Sequence, residues 1–169
     1  FTLTATDNST QTITITITIN GADDAPVLST PTAGSIAETA GSSDTTTSGL
    51  TGTLSASDAD GDTLTYAITG GSTTDGVSTL AGSYGSLSLN TSTGAYSYTP
   101  DSSAVEALDD GDSAADSFTL TASDGTDTTS ATYTVNLTGA DDSSVISATT
   151  TGSLTEDSGT STVTGSISI

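Results

Sequence analysis

The side chains in this sequence able to do strong ionic chemistry are carboxylates. Of 169 residues, 21 are Asp or Glu, while Lys, Arg and His are absent, for a formal charge of −21. The acids are clustered. Asp23 and Asp24 sit in Asn20-Gly21-Ala22-Asp23-Asp24-Ala25-Pro26, echoed by Thr138-Gly139-Ala140-Asp141-Asp142-Ser143. Asp58-Ala59-Asp60-Gly61-Asp62 packs three carboxylates into one short loop. Asp7 and Asp124 each follow a Phe-Thr-Leu-Thr-Ala segment, Glu38 and Glu156 each follow a junction, and Asp109, Asp110 and Asp112 share a later turn.

Crowded carboxylates repel one another unless a cation lies between them, and here no side chain can supply it. The counter-charge must come from solution. Ca²⁺ suits such a set, because it takes 6–8 oxygen ligands from flexible loops of Asp, Asn and backbone carbonyl. Mg²⁺ demands stricter octahedral geometry, and Zn²⁺ prefers His or Cys, both missing. The Asp58 loop is not an EF-hand: its Gly is fourth rather than sixth, and Thr69 stands where the twelfth-position Glu belongs. The competing reading for every one of these residues is an ordinary solvated turn, since Asp favours turns in any case.

The same composition excludes several function classes. Without basic residues the chain cannot neutralise phosphates, so neither nucleic acid nor an anionic membrane surface is an expected partner. Without Cys, His or Lys it lacks a thiolate, the usual general base and a Schiff-base amine, and no enzymatic activity is expected. No run of 18 apolar residues could form a membrane-spanning helix. Glu106 with a neighbouring Asp is the minimum for a glycosidase pair, but nothing in the sequence fixes their separation.

The elements that must position the acids read as strands. Thr and Ser, 40 and 29 residues, make up about two-fifths of the chain. Thr12 to Ile19 alternates strictly between Thr and Ile, which predicts a half-buried strand with Ile inward. The same alternation recurs in Leu64–Ile68, Leu87–Leu89, Phe118–Ala122 and Tyr133–Leu137. Tyr84 to Thr99 reads as a hairpin with its loop at Asn90–Gly94, and Ala104–Leu108 as one helical turn. Asp-Gly pairs at Asp60, Asp75, Asp110 and Asp124 punctuate the strands as turns. Many short strands at this spacing point to an all-β, Greek-key β-sandwich.

A repeat sets the domain organisation. Phe1-Thr2-Leu3-Thr4-Ala5-Thr6-Asp7 returns as Phe118-Thr119-Leu120-Thr121-Ala122-Ser123-Asp124, Gly21-Ala22-Asp23-Asp24 as Gly139-Ala140-Asp141-Asp142, and Gly34-Ser35-Ile36-Ala37-Glu38 as Gly152-Ser153-Leu154-Thr155-Glu156. One copy is roughly 117 residues. The expected division is 1–22 as the C-terminal strands of a preceding repeat, 23–140 as a complete sandwich and 141–169 as the N-terminal strands of a following one.

From Val77 to Asp142 the sequence resembles the VCBS repeat of large bacterial surface proteins. Tyr84-Gly85-Ser86-Leu87-Ser88-Leu89, Gly94-Ala95-Tyr96-Ser97-Tyr98-Thr99 and Ala115-Asp116-Ser117-Phe118-Thr119-Leu120-Thr121-Ala122-Ser123-Asp124-Gly125 carry that resemblance. The acidic clusters resemble those of cadherin-like domains. Ala22-Asp23-Asp24-Ala25-Pro26 is similar to their linker, and Asp58-Ala59-Asp60 to their Asp-x-Asp loop. Asp124 falls at their Asp after a strand and Glu38 at their early Glu. The linker departs from the family pattern in lacking its second Asn, and Ser143 stands where Pro is expected.

The resemblance implies an Ig-like or cadherin-like tandem of sandwiches with Ca²⁺ at the junctions. Ligands at the first junction would be Asp23, Asp24, Asp58, Asp60 and Asp124. At the second they would be Glu38, Asp109 or Asp110, Asp141 and Asp142. It further implies an extender in an extracellular bacterial adhesin or surface filament, whose partners are neighbouring repeats of the same chain, other copies in a filament, and surface glycans bound by other modules. Two further readings stand beside it: a carbohydrate- or receptor-binding module built on Tyr84, Tyr96 and Tyr98, and a self-assembling sheath or fibre in which Thr12–Ile19 is the shared strand.

Overall fold

A computed structural model describes residues 2–6, 10–142, 147–148 and 167–168; for the strands at both ends only the backbone course is described. The first two strands, β1 (Thr2–Thr6) and β2 (Thr10–Thr14), pair antiparallel. The next are β3 (Val27–Leu28), β4 (Gly34–Glu38), β5 (Thr45–Ser48), β6 (Thr51–Thr53), β7 (Ala56–Ser57) and β8 (Thr65–Ile68). Then come β9 (Ser72–Thr74), β10 (Val77–Ala81), β11 (Gly85–Asn90), β12 (Ala95–Pro100), helix α1 (Ser102–Val105), β13 (Ser113–Ser123) and β14 (Thr128–Thr138). A last short pair joins β15 (Ser147–Ala148) to β16 (Ile167–Ser168).

Two five-stranded sheets make the sandwich. One has the order β6-β12-β11-β10-β9 and the other β5-β4-β14-β13-β8; β3 and β7 form a small third pair. All pairings are antiparallel except β14 with β4, where Leu137 lies beside Ile36. The fold is thus the all-β sandwich expected from the alternating segments.

Alternation decides which face each residue takes. In β13, Asp116, Phe118, Leu120 and Ala122 are buried, and in β14, Tyr133, Val135 and Leu137 are. They meet Leu87, Leu89, Tyr96 and Tyr98 of the opposite sheet in one core, closed by Ile36, Ile68, Leu54 and Val105. The outward positions of β13 and β14 hold only Ser, Thr, Ala and Asn. Thr and Ser keep strand propensity there without charge, so, Asp116 in β13 and Glu38 at the end of β4 aside, the described carboxylates are left to the turns and loops.

The turns follow their chemistry. Asp75 and Gly76 both take positive φ, 50° and 78°, the backbone of the two-residue hairpin that joins β9 to β10. Asp101 caps α1 by accepting hydrogen bonds from the Ser103 and Ala104 amides. Together with the Ser103 hydroxyl, these bonds hold its carboxyl below the ordinary value. The helix begins at Ser102, two residues before the turn expected at Ala104, because the cap sets its start.

The strand expected over Thr12–Ile19 is corrected. β2 stops at Thr14, and Ile15, Ile17 and Ile19 are 45%, 62% and 89% exposed. The ladder explains it. Thr14 pairs with Thr2, and beyond it no strand among the described residues pairs with Ile15, Ile17 or Ile19. The equivalent residues one repeat later, Tyr133, Val135 and Leu137, pair with Phe118, Asp116 and Ala114 and are buried. The sequence pattern is the same; what differs is the strand across from it.

Candidate metal centres

Antiparallel β13 carries the chain from one end of the sandwich to the other, from the Asp109–Asp112 turn to Asp124. β8 begins beside Ser123, just after Asp62, and β4 ends beside Thr138 at Glu38. The fold therefore gathers the acids at two poles.

At the first pole, one carboxylate oxygen each from Asp23, Asp60 and Asp62 lies within 4.8 Å of the others. The linker is tied to the loop: the Asp24 amide donates to Asp60 Oδ2 at 2.8 Å. Asp58 folds the loop on itself, its Oδ1 accepting from the amides of Asp60 at 2.9 Å and Asp62 at 3.2 Å. Asp124 does the same for its own turn, accepting at Oδ1 from the amides of Thr126 and Asp127, both at 2.7 Å. Those two bonds hold its carboxyl below the usual range. The second oxygens, Asp58 Oδ2 and Asp124 Oδ2, are buried with no hydrogen-bond partner. Asp62 titrates above the ordinary value, first through loss of solvent and then through the fields of Asp58, Asp23, Asp60 and Asp124.

At the second pole, Glu38, Glu106 and Asp142 bring one oxygen each within 4.8 Å of the others. Glu38 Oε2 accepts from the Ala140 amide at 3.1 Å, while Glu38 Oε1 is buried and unpartnered. Glu106 is pushed up by loss of solvent, then by Asp142, Glu38 and Asp44. Asp141 Oδ1 faces the Asp110 amide at 3.4 Å.

Of the residues expected from the sequence, Asp23 and Asp60 fall in the first group, with Asp58 and Asp124 against it. Glu38 and Asp142 fall in the second. Asp24, Asp110 and Asp141 lie at the same poles, but they enter through backbone amides or hydrogen-bonded oxygens and not in the two close groups. Asp109 is turned back onto its own loop, its amide donating to Asp112 Oδ2 at 3.2 Å. Asp62 completes the first group. Glu106 was not expected there at all; the signal for it was the helical turn before the Asp109 loop, which aims its side chain at the linker. Asp7 and Glu156 lie outside the described residues.

The donor set fits a hard cation. Every candidate ligand is oxygen, several sit on loops, and three buried carboxylate oxygens are unsatisfied, which a buried acceptor rarely is without reason. A sugar-stacking platform does not fit: Tyr96 and Tyr98 point into the core, 4.9 Å from the Tyr133 ring and 6.0 Å from the Phe118 ring respectively.

Among the described residues, no helix is long and apolar enough to cross a membrane. Comparison with curated proteins gives no match. The sequence model of the bacterial cadherin-like domain matches residues 23–139, the span of both sheets and of the first acidic group, with Asp142 of the second just beyond it. The chain belongs to the bacterial cadherin-like domain family.

Proposed function

We propose that this protein is an extender of a bacterial extracellular adhesin or surface filament, in which Ca²⁺ at each pole stiffens the junction between successive sandwiches. Its partners are the neighbouring repeats, and its work is mechanical. Residues 1–22, 23–140 and 141–169 are then the end of one copy, a whole copy and the start of the next.

The observation that carries this reading is the pairing of two facts. Carboxylate oxygens at both poles are buried without partners, and the chain has no cationic side chain to offer them. Asp62 and Glu106 hold their protons more tightly, first through loss of solvent and then through the fields of neighbouring acids. A divalent cation relieves both problems at once. Because it binds the folded state, it stabilises by RT ln(1 + [Ca²⁺]/Kd), about 2.7 kcal/mol at a hundredfold excess over Kd.

Thermal unfolding with and without chelator tests it. Saturating Ca²⁺ is expected to raise the melting temperature, and Asp60→Asn with Asp62→Asn to remove part of that rise while leaving the chelated melting temperature unchanged or higher. Identical melting curves in Ca²⁺ and in chelator would defeat the reading.

A further inference from the structure

The two linkers share the sequence Gly-Ala-Asp-Asp. In the second, Gly139, Ala140 and Asp141 are each held by the domain they leave. The Gly139 amide donates to the Asp112 carbonyl at 3.0 Å, the Ala140 amide to Glu38 Oε2 at 3.1 Å, and the Asp141 carbonyl accepts from the Gly41 amide at 2.8 Å. These contacts come from three separate places: the Asp109–Asp112 turn, the end of β4, and the turn between β4 and β5. The packing is close. A Cβ at Gly139 would stand 2.5 Å from the Asp109 carbonyl oxygen and 2.6 Å from Leu108 Cβ, so a side chain there would push the linker off its seat. Ala22 of the first linker has no such bond among the described residues, and the counterparts of Glu38, Gly41 and Asp112 one repeat earlier are not in this sequence, so it serves only as an unlatched reference.

From this we infer that the linker is latched to the domain it leaves by hydrogen bonds alone, before any cation binds, and that Glu38 is the residue that couples this latch to the acidic pole. Its two oxygens have separate tasks. Oε2 takes the Ala140 amide, Oε1 is buried and unpartnered, and the carboxylate as a whole stands in the close group with Glu106 and Asp142. The exit direction of the chain is therefore set by the sandwich itself, and a cation would only have to fix the domain that follows. Glu38 acts on the linker as a positioning residue. The latch requires no cation and stands apart from the Ca²⁺ reading.

The two tasks can be separated by substitution. Glu38→Gln keeps a side-chain oxygen able to accept from the Ala140 amide but removes the charge; Glu38→Ala removes both. Amide hydrogen exchange of the whole chain in chelator is the readout, with the Tyr133 and Val135 amides of β14 reporting that each variant is folded. The Ala140 amide is expected to exchange about tenfold more slowly in wild type and in Glu38→Gln than in Glu38→Ala, the scale of one hydrogen bond. Within the wild type it should exchange more slowly than Ala22, a comparison that holds even if Glu38→Ala does not fold. Equal exchange at Ala140 and Ala22 in chelated wild type, or equal exchange at Ala140 in wild type and a folded Glu38→Ala, would overturn the latch. Added Ca²⁺ is a separate arm. If it changes no linker amide while Ala140 stays protected, the latch stands and the cation reading fails.

Discussion

Asp116→Ala is expected to cost about 3 kcal/mol or more of folding stability, the scale for taking away the one acceptor shared by three donors. Asp116 lies on β13 among apolar neighbours and is 5% exposed, yet it is fully used. Its Oδ1 accepts from the Ser83 amide at 2.8 Å, and its Oδ2 from the Tyr84 amide at 3.0 Å and the Tyr98 hydroxyl at 2.7 Å. One carboxylate thus ties β13 to β12 of the opposite sheet and to the turn between β10 and β11. Burial and the bond to Asp116 push the Tyr98 phenol far up, so it stays protonated and donates. The alanine would leave two amides and a hydroxyl stranded, each costing about 1–3 kcal/mol if no water reaches it. Tyr98→Phe removes one of the three bonds and should cost only about 1 kcal/mol. Denaturant unfolding measures both; a loss below about 1 kcal/mol for Asp116→Ala would mean that the network is not a structural tie.

Phe118→Ala is the second large effect, at about 3–5 kcal/mol, from lost burial and the cavity left behind. Phe118 is 2% exposed, packs edge-on against Tyr98, and sits at the middle of the longest ladder opposite Tyr133. Its neighbour Thr119 faces outward beside Thr132, and Thr119→Ala should stay within about 0.5 kcal/mol. The contrast between adjacent residues follows from the two-residue period of the strand. Because Asp116 and Phe118 both lean on Tyr98, their double variant should fall short of the sum. Equal costs at Phe118 and Thr119 would mean that the inward and outward faces have been assigned wrongly.

Much of this sandwich was legible in the sequence because strands write their faces in alternate residues. Leu87 and Leu89, Phe118 and Leu120, Tyr133 and Val135 all read inward from the pattern and are buried. The Asp75-Gly76 turn was legible because few dipeptides accept two positive φ angles. Thr12–Ile19 shows where pattern stops. Its alternation specifies which side would be buried, but burial needs a partner strand and a second sheet, and neither is encoded in those eight residues. At the poles, clustering in sequence pointed to Asp58, Asp60 and Asp23. It could not reveal Glu106, brought to Glu38 and Asp142 by pairing between strands far apart in the chain. Nor could it reveal Asp116, which reads as one more acid but is sealed inside. An isolated carboxylate looks the same in sequence whether it faces solvent or two buried amides.

The stiffening proposed for the junctions depends on a dissolved cation taking the place of the missing basic side chains. Calorimetric titration of the chelator-stripped chain with Ca²⁺ tests this most directly. The expectation is saturable binding with Kd near 10⁻⁴–10⁻³ M, the range typical of extracellular modules. It should be weaker for Mg²⁺ and reduced by Asp60→Asn and by Glu38→Gln. No saturable heat up to about 10 mM Ca²⁺, tenfold above that range, would contradict it.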